Sequence, residues 1–145
     1  MNINIAPEHV LLNINSGSKK ALVAKMLSSV LTIDIDQALD IVMARERLGS
    51  TGIGHGVAIP HGRMEALEEP LIVVARHIEG IHFDAIDGAP VHLVVLLLVP
   101  SDEERKHLEL LAALARLLQN VDVRTALMSA ESYEQVLDIF QTSVK

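Results

Sequence analysis

The run Arg45-Glu46-Arg47-Leu48-Gly49-Ser50-Thr51-Gly52-Ile53-Gly54-His55-Gly56-Val57-Ala58-Ile59-Pro60-His61-Gly62 sets five glycines, two histidines, two arginines and a Ser-Thr pair around one short β-like stretch at residues 57–60. Glycine carries no Cβ, so backbone N–H groups at these positions can approach an anion closely. Histidine is the side chain most readily presented as a neutral nucleophile near pH 7. The combination reads as a place for a phosphoryl group on an imidazole, with His61 as the candidate. Pro60 fixes the backbone before it and biases Ile59 towards extended geometry, while Gly62 leaves room for an approaching partner.

Working outward, the residues before this run predict a helix over 36–47, capped near Asp34 or Asp36, with Ala38, Leu39, Ile41, Val42 and Leu48 as its apolar positions. Arg45 and Arg47 suit the negative end of its dipole, and Gly49 stops it. Earlier still, residues 9–14 read as a strand or extended lead-in and 15–18 as a turn. A helix over 18–31 follows, with Ser18 as its N-cap and Ala21, Leu22, Met26, Leu27 and Val30 at helical spacing.

On the other side, a strand at 56–60 is expected to end at Pro60, which has no N–H to give a ladder. The Val/Leu-rich runs 71–78 and 91–99 predict strands buried on both faces, and Asp87-Gly88 is a turn signal for a hairpin between them. Ser101-Asp102-Glu103-Glu104 is a capping-box pattern, and Leu108, Leu111, Ala112, Ala115 and Leu118 mark the buried face of the helix it opens. Asn120 is placed to cap a short helix over 121–129. Ser132 with Gln135 repeats the capping-box pattern for a last helix ending near 142. Helices at both ends around a central group of strands predict an α+β fold, a three-layer α/β/α sandwich with a mixed central β-sheet flanked by helices. A single domain over 1–145 is expected.

Composition narrows the function classes. Half of the 145 residues are hydrophobic and only 2% aromatic, which predicts a core of Leu, Ile, Val and Ala. The chain has no cysteine, which removes disulfides, thiolate catalysis and Cys-type zinc sites. Its net charge of −7 argues against nucleic acid as a main partner. Residues 1–5 lack the charged and apolar regions of a signal peptide, and the apolar run 93–100 is far shorter than the ~20 residues a spanning helix needs. A cytoplasmic protein without membrane insertion is the expectation.

Of the seven histidines, His9, His77, His82 and His92 lie in or beside predicted strands, away from the glycine loop, where structural or surface roles are the commoner ones. His107 falls one turn into the helix after Ser101. It gains interest if the start of that helix packs against the strand carrying His61, because a helix N-terminus and a second imidazole would then face one anion. His55 lies six residues before His61, an even separation that puts both on one face of a straight strand. A zinc site of His55, His61 and His107 lacks the usual spacings and an obvious carboxylate ligand, so no metal or other cofactor is expected.

The motif from Arg45 to Gly62, continued by Phe83-Asp84-Ala85-Ile86-Asp87, Leu96-Leu97-Leu98-Val99-Pro100 and Lys106-His107-Leu108, resembles the active-site signature of enzyme IIA domains of the mannitol/fructose type (type 2) in the bacterial phosphotransferase system. Within that family it is most similar to the nitrogen-regulatory type, and the likeness spans nearly the whole chain. The resemblance implies a phosphocarrier, in which the histidine of Pro-His-Gly takes a phosphoryl group on Nε2 from an HPr-type carrier. That residue is His61 here. It also implies His107 and Arg45 near the phosphoryl group, with Ser50, Thr51, Gly54, His55 and Gly62 around the pocket. Relatives usually carry Asn or an acid where this chain has His55. Arginine and imidazole donors, with glycine-loop N–H groups, would stabilise the equatorial oxygens without a metal.

The implied partners are the HPr-type donor and either regulated target proteins or a IIB domain, and a homo-oligomer is allowed for. The length, the absence of a IIB or IIC segment from these residues and the nitrogen-type motif favour regulation. Passage of the phosphoryl group to a IIB domain for sugar uptake is the alternative.

Overall fold

A computed structural model describes residues 5–143; residues 1–4, on which the signal-peptide expectation mainly rests, lie outside the described part. Its elements are β1 (Val10–Ile14), α1 (Lys19–Leu27), α2 (Ile35–Leu48), β2 (Gly52–Gly54), β3 (Val57–Ala58), β4 (His61–Met64), β5 (Leu71–Ile81), β6 (Val91–Pro100), α3 (Glu104–Gln119), α4 (Val121–Ser129) and α5 (Tyr133–Ser143). Among the described residues no helix is long and apolar enough to cross a membrane.

The sheet is organised on β6, whose Val/Leu run is buried along both faces. Leu93, Val95, Leu97 and Val99 pack with Leu114, Leu118, Val136 and Phe140 in one apolar layer. Val94, Leu96 and Leu98 point the other way, into a layer with Leu22, Met26, Ala38 and Val42. Strand period two therefore divides one continuous apolar run between two cores. The sheet is six-stranded, ordered β1-β5-β6-β3-β2, with β4 also on β6. β5 and β6 are antiparallel, as are β2 and β3, while β1 runs parallel to β5 and both β3 and β4 run parallel to β6. The mixed sheet with α1 and α2 on one face and α3 to α5 on the other is the three-layer arrangement the sequence predicts.

Several local signals act as read. Ser18 Oγ accepts from Ala21 N–H, Asp34 from Gln37 N–H, and Asn120 Oδ1 from Asp122 and Val123 N–H. Ser132 Oγ accepts from Gln135 N–H at 3.2 Å, and the Gln135 side chain reaches back to Glu131 N–H.

Four expectations change. First, α1 ends at Leu27 rather than near 31, because the Ser28 and Ser29 hydroxyls donate to the Lys25 and Met26 carbonyls and draw them off the helical ladder. Second, the strand expected at 56–60 is only Val57–Ala58, and pairing with β6 resumes beyond Pro60 in β4. Val57 lies opposite Leu93 and Ala58 opposite Val94, and after the interruption His61 lies opposite Leu97 in the same register. Pro60 gives no N–H, but its carbonyl still accepts from Leu97 N–H at 2.9 Å. Third, the Ser101 box does not cap α3. β6 runs on to Pro100, which leaves Ser101 and Asp102 to turn the chain, and Glu103 takes the cap position without a side-chain bond. Fourth, the buried face of α3 is His107, Leu110, Leu114, Leu117 and Leu118. Leu108 and Ala112 face solvent, as does Leu48 of α2.

Candidate active site

α2 packs closely across the start of β4 through its middle, at Ile41 and Val42. Gly62 makes that approach possible, since a Cβ there would sit 2.5 Å from Ile41 Cγ2. Along β4, Gly62 and Met64 are buried while His61 and Arg63 are more open. The first turn of α3 lies over this second pair. An open cavity of about 600 Å³ results, lined by Ile41, Ala44, Arg45 and Leu48 of α2, His61, Gly62 and Arg63 of β4, and Glu104, His107 and Leu108 of α3.

Within it the His61 and His107 rings meet edge-on, 5.5 Å between centroids with a 62° interplanar angle. His61 Nδ1 lies 2.8 Å from the Ile59 carbonyl oxygen, so Nδ1 carries the hydrogen and donates. A neutral ring holding its proton on Nδ1 keeps its lone pair on Nε2. Burial pushes the His61 pKa below the usual imidazole value and the Arg45 charge lowers it further, against the opposing effect of the Ile59 bond. Burial also lowers His107, helped by the neighbouring His61 and Arg63, with Glu104 opposing. Both rings are therefore neutral at neutral pH, the state a nucleophile requires.

The sign gives a prediction. The unfolded imidazoles take up protons as pH falls through about 6.5, before the folded ones do. The stability these two rings contribute is thus present above 6.5 and is lost as pH falls through the lowered folded values. Chemical denaturation from pH 7.5 to 5 should show that decline, and it should shrink in a His61→Gln/His107→Gln variant.

Arg45 Nη1 donates to the Gly49 carbonyl at 2.8 Å, which ties the guanidinium to the end of its own helix beside the cavity. Arg63 Nη1 lies 3.8 Å from Glu104 Oε1. Arg63 and Glu104 escaped the sequence reading as site residues. The available signal was alternation, since Arg63 shares a strand face with His61.

Ser50, Thr51, Gly54 and His55 are not among the cavity-lining residues. Ser50 Oγ donates to the Phe83 carbonyl at 2.5 Å and accepts from Gly52 N–H. Thr51 is buried, and its N–H and hydroxyl both donate to Glu46 Oε1. His55 and Gly56 hold φ of 58° and 77° at the tip of the β2–β3 hairpin, the positive pair a type I′ turn demands. His55 N–H is bound to Asp87 Oδ2 there, away from His61 and His107, so the three-histidine zinc set is not assembled. Among the other histidines, His77 Nε2 accepts from Ser16 N–H, His92 Nδ1 donates to the His77 carbonyl, and His82 pairs with Asp84.

The chain is similar to known proteins over nearly its whole length. Residues 4–143 match the family model described as "Phosphoenolpyruvate-dependent sugar phosphotransferase system, EIIA 2". The chain is 39% identical over 139 residues to a nitrogen regulatory protein of Pseudomonas aeruginosa, covering 93% of this chain and 90% of that one. It is 42% identical over 112 residues to a PTS system fructose-specific EIIA component of Haloferax volcanii, covering 77% and 73%. The crystal structure of nitrogen regulatory protein IIA-Ntr from Neisseria meningitidis is similar with a TM-score of 0.89 at 37% identity, covering 93% of this chain and 94% of that one.

Proposed function

The chain belongs to the EIIA 2 family of the phosphoenolpyruvate-dependent sugar phosphotransferase system, and on that premise we propose that it is a phosphocarrier whose His61 accepts a phosphoryl group from an HPr-type protein. The observation that carries this reading is the Nδ1–H bond to Ile59, which leaves Nε2 as the ring's basic nitrogen inside a cavity shared with His107 and Arg45.

In the transfer, the Nε2 lone pair forms a bond to phosphorus as the bond to the donor's ring nitrogen breaks, and the donor nitrogen keeps that electron pair. The His61 ring retains its Nδ1 proton and so gains positive charge, which the Ile59 carbonyl stabilises. His107 would donate from its ring to a phosphoryl oxygen, and Arg45 would offer a planar pair of donors. Transfer between two imidazoles asks mainly for alignment and charge stabilisation, and the near-equal energies of the two phosphoimidazoles make it reversible. Incubation with enzyme I, an HPr-type carrier and phosphoenolpyruvate should add one acid-labile phosphoryl group by intact mass. An unlabelled wild-type chain would overturn the reading.

His107→Ala should fold and accept the group more slowly, by about tenfold for the loss of one donor of ordinary strength. Rapid-quench labelling measures this, and a wild-type rate would remove His107 from the mechanism.

The carrier is assigned a nitrogen-type regulatory role, acting on target proteins through its phosphorylation state. Similarity to the nitrogen regulatory protein over 93% of the chain supports this. Similarity to the fructose-specific component supports the alternative, onward transfer to a IIB domain. Mixing the phosphorylated protein with a fructose-type IIB domain decides between them. Rapid dephosphorylation favours uptake, and a stable phosphoprotein favours regulation.

A further inference from the structure

Two residues of β4 meet two residues of α3. His61 and Arg63 alternate with buried Gly62 and Met64 and so share the more open strand face. Glu104 and His107, three residues apart in the first turn of α3, share a helix face. The crossing pairs the rings at 5.5 Å and brings the Arg63 guanidinium to 3.8 Å from the Glu104 carboxylate, with all four groups lining one cavity.

The two arginines of the cavity are held differently. Arg45 donates a 2.8 Å bond to the Gly49 carbonyl. The Arg63–Glu104 separation is longer than a hydrogen bond, and the two side chains are 47% and 73% exposed, so water competes for both and the pair is weak. A phosphoryl group on His61 would bring up to two negative charges into this space. It would repel Glu104 and attract Arg63, whose planar fork matches two phosphoryl oxygens better than a loose contact with one carboxylate oxygen.

We propose that Arg63 is a phosphoryl ligand held in reserve: it pairs with Glu104 while His61 is free and exchanges that carboxylate for the phosphoryl oxygens once His61 is loaded. The inference rests on His61 being the acceptor. It deepens that reading by adding a second guanidinium and a carboxylate that competes for it. It also gives the two states different rims, because loading releases the Glu104 carboxylate at the start of α3.

The test is the equilibrium of the phosphoryl group between a phosphorylated HPr-type carrier and the full chain, read by intact mass of both proteins. Wild type, Arg63→Ala, Arg63→Lys, Glu104→Gln and Arg63→Ala/Glu104→Gln are compared. Arg63→Ala is expected to shift the equilibrium roughly tenfold towards the donor, the effect of one charge-assisted contact, with Arg63→Lys between it and wild type. Glu104→Gln should shift it a few-fold the other way by removing both the repulsion and the competition for Arg63, and the part due to competition should vanish in the double variant. Thermal melts check that each variant is folded, as expected for exposed positions. Arg63→Ala behaving as wild type, or a Glu104→Gln gain undiminished without Arg63, overturns the inference and leaves the His61 reading standing. An unlabelled wild-type chain overturns both.

Discussion

His61→Ala is expected to take up no phosphoryl group under conditions that label the wild-type chain completely. Of the two imidazoles in the cavity, only His61 has its Nδ1 proton fixed by a backbone carbonyl, which directs the lone pair to Nε2. His107 Nδ1 is buried without a hydrogen-bond partner, so its tautomer is not directed in the same way. Truncating His61 removes the nucleophile itself rather than a contact that tunes it, so the loss should be total. The substitution should leave the sheet intact, since the backbone pairing of residue 61 with Leu97 and the acceptance by Pro60 O do not involve the imidazole. Intact mass after incubation with the donor proteins measures the effect. Labelling of the variant at the wild-type level would move the acceptor elsewhere.

The largest stability effect is expected one residue after Arg45. Glu46 sits in the last turn of α2 with its side chain 2% exposed. Oε1 accepts from the Thr51 N–H and hydroxyl, and Oε2 receives Lys19 Nζ at 3.0 Å, while the same ammonium lies 4.7 Å from the centre of the Phe83 ring. This cluster ties together α1, the end of α2, the glycine-rich segment and Phe83, two residues beyond β5. Glu46→Ala leaves a buried amide without its acceptor and a largely buried ammonium with only a 3.8 Å contact to exposed Asp84, a change that costs about 3 kcal/mol. Urea denaturation should show it. Glu46→Gln keeps an acceptor for Thr51 and should lose less. A Lys19→Met/Glu46→Leu double variant should also be less damaged than Glu46→Ala, because it leaves no charge stranded. A Glu46→Ala midpoint within error of wild type would show that water reaches the cluster freely.

Glu46 also shows how far the motif can be read residue by residue. The Ser-Thr pair and His55 look, from composition and resemblance, like lining for an anion pocket. In the structure Ser50 and Thr51 spend their donors on the Phe83 carbonyl and Glu46, and His55 occupies a hairpin tip that favours asparagine or glycine because of its positive φ. These residues shape the segment that delivers His61 to β4. Conversely, Arg63 and Glu104 line the cavity although the sequence marks neither as a site residue, and Glu104 only as part of a helix cap.

The local code of the chain was readable because its energetics are local. Caps at Ser18, Asp34 and Asn120 each satisfy N–H groups two or three residues away, and the Val/Leu run of β6 announces burial on both faces without reference to any neighbour. Sequence by itself therefore determined the helices, the long strands and the three-layer class; it offered His61 as a candidate from its setting, and the family resemblance added His107 and Arg45. Tertiary structure alone decided that β3 and β4 share one register along β6 across Pro60. It also decided that α3 starts at Glu104 because β6 extends to Pro100, and that the start of α3 brings Glu104 onto Arg63. Those outcomes depend on where one element stops against another, and a shift of a residue or two in that stop rotates a helix face by 100° or more without altering any local preference.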